Sequence, residues 1–173
     1  GEKLFEIKSL AHPILKIEFS PKGQMVTANA NGQVAFWHAT GEIERQFRPH
    51  QMAVSALAFS PDAQYMLTGS RDKTAKLWDL NGNLIREFKE HRGEVYAVAF
   101  SPDGTSVLTG SWDSNARLWK LGEISKPVEF KGHWGAILSM AFSPDGQHIL
   151  TGSFDNTLRL FWSSKRSSVR FLY

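Results

Sequence analysis

The feature that most constrains this chain is an internal repeat. The tripeptide Phe-Ser-Pro occurs at 19–21, 59–61, 100–102 and 142–144, at intervals of 40, 41 and 42 residues. A histidine precedes each copy and an aromatic residue follows it, namely His12, His50, His91 and His133, then Trp37, Trp78, Trp119 and Phe161. A fixed period of this length is typical of arrays whose single units cannot bury their own apolar face. We therefore divide the chain into four repeats, at about 10–48, 49–89, 90–131 and 132–173.

Each repeat has the pattern of four short β-strands. In the second repeat, the runs 53–59, 65–70, 74–79 and 84–88 are rich in β-branched and aromatic residues and are bounded by turn residues. The sequence Ser-Pro-Asp-Gly at 101–104 and 143–146 suits a type I turn followed by a positive φ at glycine. The second repeat has Ala63 at the glycine position, where a left-handed backbone costs on the order of 1 kcal/mol. The pattern predicts a four-stranded antiparallel meander and no helix.

The apolar residues of these strands point to both faces of each small sheet, as in the runs AVSALAF and AVAFS. A sheet that is apolar on both faces has to be packed between neighbours. Small sheets repeated around an axis give a β-propeller, in which the strand edges are also protected. The sequence therefore predicts an all-β chain of four four-stranded antiparallel blades.

Composition narrows the function further. The chain has no cysteine, and its net charge of +3 comes from 20 basic and 17 acidic residues spread along the sequence, so we expect no nucleic-acid partner. No apolar run is long enough to span a membrane and no signal peptide is evident, which favours a cytoplasmic protein without a membrane partner. Histidines 38 to 42 residues apart do not form a metal-binding cluster, and no phosphate-binding loop or nucleophile elbow occurs. We expect neither a cofactor nor catalysis.

The repeated residues resemble the WD40-repeat family over residues 3 to 162. The resemblance is carried by the histidine, the Ser-Pro-Asp-Gly turn, the strings TGSRD, TGSWD and TGSFD, and Leu-Trp-Asp at 77–79. It implies a hydrogen-bonded tetrad of His, Ser or Thr, Asp and Trp inside each blade. By position, these tetrads are His50, Thr68, Asp72 and Trp78, and His91, Thr109, Asp113 and Trp119. Because an enzyme needs one triad and a repeat fold needs one such set in every repeat, we interpret these residues as structural.

The first and last repeats depart from this pattern. The first offers His12, Thr27, Asn31 and Trp37, with an amide in place of the carboxylate and a histidine two residues closer to Phe-Ser-Pro. The last offers His133, Thr151 and Asp155, but Phe161 stands where the indole is expected and Trp162 comes one place late. Since Thr151 then lacks a donor worth about 1 kcal/mol, we expect these two blades to be the weaker ones.

The resemblance also implies a protein- or peptide-binding scaffold that uses the top face of the propeller. At the family's contact positions, the central blades and the last offer Arg71, Glu94, Tyr96, Trp112, Leu138 and Phe154, to which we add Trp134. Exposed aromatic residues and arginine are the usual anchors of interfaces. The alternative is that Trp112 and Phe154 pack on adjacent loops and fill the mouth of the channel.

Four repeats are fewer than the seven or eight of most WD40 rings, and an open arc leaves two apolar sheet faces in water. We expect a homodimer that closes an eight-bladed ring by cyclic symmetry. A strand at 3–8 is predicted to complete the outer edge of a neighbouring blade, in competition with a strand at 169–173. The alternatives are a fragment of a larger seven- or eight-bladed protein and a purely structural or designed propeller.

Overall fold

The computed structural model describes Glu6 and residues 12–164, and the statements below refer to these residues. They form fifteen β-strands in four antiparallel sheets, with no helix. None of these residues belongs to a helix long and apolar enough to cross a membrane. The all-β class predicted from the sequence is confirmed.

The four sheets follow one another along the chain, and we call them blades 1 to 4. Blade 1 contains β1 (Ile14–Phe19), β2 (Met25–Asn29), β3 (Val34–Trp37) and β4 (Ile43–Phe47). Blade 2 contains β5 (Val54–Phe59), β6 (Tyr65–Ser70), β7 (Ala75–Asp79) and β8 (Leu84–Phe88). Blade 3 contains β9 (Val95–Phe100), β10 (Ser106–Ser111), β11 (Ala116–Lys120) and β12 (Val128–Phe130). Blade 4 contains β13 (Ile137–Phe142), β14 (His148–Ser153) and β15 (Leu158–Trp162).

Every blade is a meander whose spatial order follows the chain, and its first strand is the inner one. The strands of blade 2 begin and end within one residue of the predicted runs. Blade 4 has three strands within the described residues, and both segments predicted to supply its fourth, 3–8 and 169–173, lie outside them apart from Glu6.

Loops at the two ends of the strands define two faces. The top loops are 30–33, 71–74, 112–115 and 154–157, which join the second and third strands of each blade, and 48–53, 89–94 and 131–136, which join successive blades. The bottom loops are 20–24, 60–64, 101–105 and 143–147, together with 38–42, 80–83 and 121–127. In the loops that join the first and second strands of each blade, Ala63 has a φ of 59° at the position that Gly23, Gly104 and Gly146 occupy in the other blades. The sequence predicted this left-handed backbone at Ala63.

The apolar cores lie between the blades and not within them. One cluster joins Val26 and Phe36 of blade 1 to Leu57 and Met66 of blade 2, and equivalent clusters join blade 2 to blade 3 and blade 3 to blade 4. Glycine allows the close approach that these clusters need, because a Cβ on Gly110 would lie 2.7 Å from Ile137 Cγ2 of the next blade.

The described blades do not close a ring, so the two terminal faces have no neighbour of this kind. On the inner strand of blade 1, Ile17 and Phe19 are 71% and 70% exposed, whereas the equivalent residues of the other blades are buried or half-buried. On blade 4, Leu150 and Leu158 are exposed at positions where blades 2 and 3 have fully buried residues. The described blades therefore form an arc with exposed apolar side chains at either end.

Candidate partner-binding face and the blade tetrads

The two central blades bring the predicted tetrads together in the same geometry. In blade 2, Trp78 Nε1 donates to Thr68 Oγ1 at 3.0 Å, His50 Nε2 lies 2.7 Å from that oxygen, and His50 Nδ1 lies 2.8 Å from Asp72 Oδ2. In blade 3, the corresponding distances among Trp119, Thr109, His91 and Asp113 are 2.9, 2.7 and 3.0 Å. Both histidines and both threonines are buried.

The order of donors in these tetrads follows from the chemistry of the groups. An indole N–H only donates, and a carboxylate only accepts, so the imidazole donates from Nδ1 to the aspartate and its Nε2 accepts from the threonine hydroxyl. Burial raises the pKa of Asp72 and of Asp113, but the hydrogen bonds that they accept outweigh it and hold each pKa well below the usual range. The same holds for the pKa of Asp155 in blade 4, where Thr157 and His133 are the donors. These carboxylates are therefore ionised and fully engaged, which suits a structural role.

Blade 3 contains a fifth member that sequence reasoning missed. The Arg117 side chain is buried, and its Nη1 donates to Asp113 Oδ2 at 2.8 Å while Nη2 and Nε donate to Glu129 Oε1 at 2.9 and 3.1 Å. The equivalent residues are Lys76 in blade 2 and Arg159 in blade 4, so a cation two residues before the aromatic position was the signal. Arg117 connects the tetrad to the outer strand of its blade.

The first blade does not assemble the predicted set. Trp37 Nε1 donates to Thr27 Oγ1 at 2.9 Å, but His12 is exposed and makes no hydrogen bond to Thr27 or Asn31. Asn31 Oδ1 instead accepts from the backbone N–H of Gln33 at 3.2 Å. The physical reason is the shorter spacing between His12 and the first strand, together with an amide that offers the imidazole a weaker acceptor than a carboxylate.

In the last blade, three members come together without an indole. His133 lies 2.8 Å from both Asp155 Oδ2 and Thr151 Oγ1, while Phe161 occupies the aromatic position and is buried against Phe130. Trp162 is 37% exposed and stacks on the His148 ring instead, at 4.2 Å between ring centroids. The register places it on the opposite face of the strand from Phe161.

Two recurring backbone features place the predicted partner-binding residues on the top face. The residue before each tetrad aspartate donates its backbone N–H to the carbonyl oxygen of the residue that precedes the inner strand. This bond runs from Trp112 to Glu94 and from Phe154 to Ala136, at 2.8 Å in both cases. Each inner strand also carries a β-bulge near its top end, and the unpaired residue there is Tyr96 in blade 3 and Leu138 in blade 4. Bulges of this kind re-aim a side chain.

Four of these residues form a contact series that crosses from blade 2 to blade 3. Arg71 Nε lies 3.7 Å from Glu94 Oε2, and the Tyr96 hydroxyl donates to the same carboxylate. The Tyr96 and Trp112 rings are 6.0 Å apart and inclined by 55°. Burial and the Glu94 carboxylate together raise the pKa of Tyr96, so the phenol remains a donor.

The remaining three residues lie on blade 4. Trp134, Leu138 and Phe154 are 76%, 47% and 69% exposed, and Trp112 on blade 3 is 57% exposed. Exposed large apolar side chains in this number at one end of the strands are uncommon for residues that serve only the fold. Within the described part of the chain, no group of three or more His, Asp or Glu residues is arranged to hold a metal ion.

Comparison with known proteins agrees with this architecture. The family model "WD domain, G-beta repeat" matches residues 41–79, 82–120 and 125–161, which is more than half of the chain. An uncharacterized WD repeat-containing protein of Synechocystis sp. is 36% identical over 67 residues, which cover 36% of this chain and 4% of that protein. The match thus spans only a small part of that longer relative. The chain belongs to the WD40-repeat family, which is generally non-catalytic and whose repeats are typical of protein-interaction scaffolds.

Proposed function

We propose that this chain is a non-catalytic scaffold that binds a protein or peptide through the top face of blades 2 to 4. The observation that carries the proposal is the exposure of Trp112 and Phe154, each in the residue position before a tetrad aspartate. Blade 1 has Ala30 at this position, so the fold does not require an aromatic side chain there. Exposed aromatic residues next to arginine are the side chains that most often anchor an interface.

A capture experiment with a matched control tests this role. The double variant Trp112→Ala/Phe154→Ala removes two top-face anchors, and Ile85→Ala/Ile124→Ala removes two exposed apolar side chains away from that face. We expect proteins retained by the wild-type chain to be lost from the first variant and kept by the second. Equal recovery by both variants, with unchanged melting temperatures, would contradict the proposal.

We further propose that a second copy of the chain closes the ring, with blade 4 of each copy packed on blade 1 of the other. The support is a glycine in the second strand of blades 2, 3 and 4. A Cβ on Gly69 or Gly110 would clash with β-branched or Met side chains of the following blade, whereas Gly152 has no following blade against it within the described part of the chain. Ile14 and Ile17 are exposed at the positions that fill this space in blades 3 and 4.

The mass in solution tests ring closure. We expect about twice the 19.4 kDa of one chain by sedimentation or light scattering. Gly152→Val should shift the mass to that of one chain, because among the described residues a Cβ there has only Ser139 Cβ nearby, at 4.0 Å, whereas the added side chain blocks the proposed interface. Gly122→Val is the control, since a Cβ on Gly122 has nothing within 4 Å and this residue lies in a bottom loop. A wild-type mass of one chain would refute the dimer and favour blades supplied by a longer polypeptide. A cytoplasmic location stays a prediction.

A further inference from the structure

The fold separates charges that are mixed along the sequence. The top loops carry six cations, Arg48, Arg71, Lys73, Lys89, Arg92 and Lys131. The bottom loops carry two, Lys22 and Lys126, against five anions, Glu42, Asp62, Asp103, Glu123 and Asp145. Among the described residues, the top loops therefore hold most of the loop cations, whereas the bottom loops carry a net negative charge.

Three of the five anions in the top loops are mostly buried, where a bound segment does not contact them. Asp72, Asp113 and Asp155 belong to the tetrads, and their side chains are 16%, 8% and 0% exposed. They lie beneath the surface and are occupied by histidines and, for Asp113, by Arg117. The only other anions in these loops are Glu90 and Glu94.

Some of the top-face cations are already paired, and others are free to meet a partner. Lys89 and Lys131 each lie 2.8 Å from a glutamate of an outer strand. Arg48 donates only to backbone carbonyls. Lys73 and Arg92 are exposed and have no anionic partner among residues 12–164.

These free cations lie in top loops that also hold, or are bonded to, other predicted partner-binding residues. Lys73 shares its loop with Arg71. Arg92 is attached to the loop of Trp112, because its backbone N–H donates to Asp113 Oδ2 at 2.9 Å. Trp134 occupies the position in blade 4 that Arg92 occupies in blade 3. The backbone N–H of Trp134 donates to Asp155 Oδ2 at 3.2 Å. Free cations and exposed aromatic side chains thus occupy the same or neighbouring top loops of blades 2 to 4.

We infer that the segment bound by this face is an acidic peptide that carries aromatic or aliphatic side chains among its carboxylates. This inference rests on the proposed function and adds the chemistry of the partner. Carboxylates meet Lys73, Arg92 and the guanidinium of Arg71, while apolar side chains pack on Trp112, Phe154 and Leu138. A nucleic acid suits the face less well, because the Glu90 and Glu94 carboxylates lie within it and repel phosphate groups.

Selection from a random peptide library on the full chain tests the inference. We expect the retained peptides to be enriched in Asp and Glu together with Phe, Trp or Leu. The charge-reversal variant Lys73→Glu/Arg92→Glu should weaken the binding of a retained peptide by about tenfold at low salt and by less at high salt. The control Lys22→Glu/Lys126→Glu makes the same change in net charge on the bottom face and should leave the affinity unchanged. Lys22 and Lys126 are both exposed.

The outcomes separate this inference from the proposed function. Retained peptides that are neutral or basic, but are lost from Trp112→Ala/Phe154→Ala, would overturn the acidic partner and leave the binding face in place. Equal weakening by both charge-reversal variants would show a general effect of net charge and would also overturn it. Tighter binding of a single-stranded oligonucleotide than of any retained peptide would do the same.

Discussion

Removing the carboxylate of Asp113 should destabilise this protein far more than removing the amide of Asn31, although both occupy the same repeat position. Asp113 Oδ2 accepts from His91 Nδ1 at 3.0 Å, from the Arg92 N–H at 2.9 Å and from Arg117 Nη1 at 2.8 Å. The Asp113→Ala variant leaves these three donors without their acceptor, including a buried guanidinium, and it also removes the Oδ1 bond from the Asn115 N–H at 3.1 Å.

The magnitude follows from the burial of these groups. Breaking a buried ion pair by removing one partner costs about 3–5 kcal/mol. Arg117 keeps its bonds to Glu129, which itself is partly exposed, so the lower part of that range applies. Asn31→Ala loses one side-chain hydrogen bond, from the Gln33 N–H, worth about 0.5–1.5 kcal/mol. We therefore expect a difference of about 2–3 kcal/mol in the free energy of unfolding between the two variants.

Urea unfolding followed by far-ultraviolet circular dichroism measures both losses at one protein concentration, so that any association affects the two variants alike. Asp113→Asn is the control for shape, and it should fall between Asp113→Ala and the wild-type chain. Equal losses in Asp113→Ala and Asn31→Ala would refute the view that the central tetrads are the stronger ones.

Three further predictions concern stability. The folded-state pKa values of Asp72, Asp113 and Asp155 are lowered, so the unfolded chain binds more protons in acid, and the free energy of unfolding should fall as the pH drops below about 4. The midpoint of urea unfolding, measured from neutral to acid pH, checks this, and a midpoint that stays constant down to about pH 2.5 would contradict it. Ala63→Gly should stabilise the chain by about 1 kcal/mol, since φ is 59° there, and Gly104→Ala at a φ of 69° should destabilise it by a similar amount. The melting temperature should therefore rise in the first variant and fall in the second, and a change of the same sign in both would contradict this prediction. Phe161→Trp should supply the donor that Thr151 lacks and gain about 1 kcal/mol, while Trp119→Phe, which removes the same bond in blade 3, should lose about as much; a loss in both would show that blade 4 has no room for the indole.

The repeat allowed much of the fold to be predicted, because each blade uses the same turn and strand pattern. The strands of blade 2, the turn at Ala63 and the central tetrads all lie where the period puts them. The exception in blade 1 had a visible signal, since His12 is seven residues from Phe19 whereas His50 is nine from Phe59. Because His12 lies two residues closer to its strand than the other histidines do, its side chain does not reach Thr27 and remains exposed to solvent.

The candidate site was less predictable, because its properties depend on which residues the fold brings to one face. Counted along the chain, the basic and acidic residues are nearly balanced and form no patch. They separate only when alternate turns are sent to opposite ends of the strands. Arg117 was missed for a related reason, since a charged residue inside a strand is most often solvated, and only the packing of β11 buries this one.

The position of the apolar clusters between the sheets has a consequence for how such a chain changes its length. Each apolar cluster is formed by two neighbouring sheets, and no sheet has a cluster of its own. The gain or loss of one whole unit of about 41 residues therefore changes the number of these clusters by one and exposes none of the others. A deletion that ends within a unit exposes the clusters on both sides of it. Duplication of complete units is thus the change in length that this architecture tolerates best. Any such array keeps an exposed apolar sheet face at each end until another sheet packs against it.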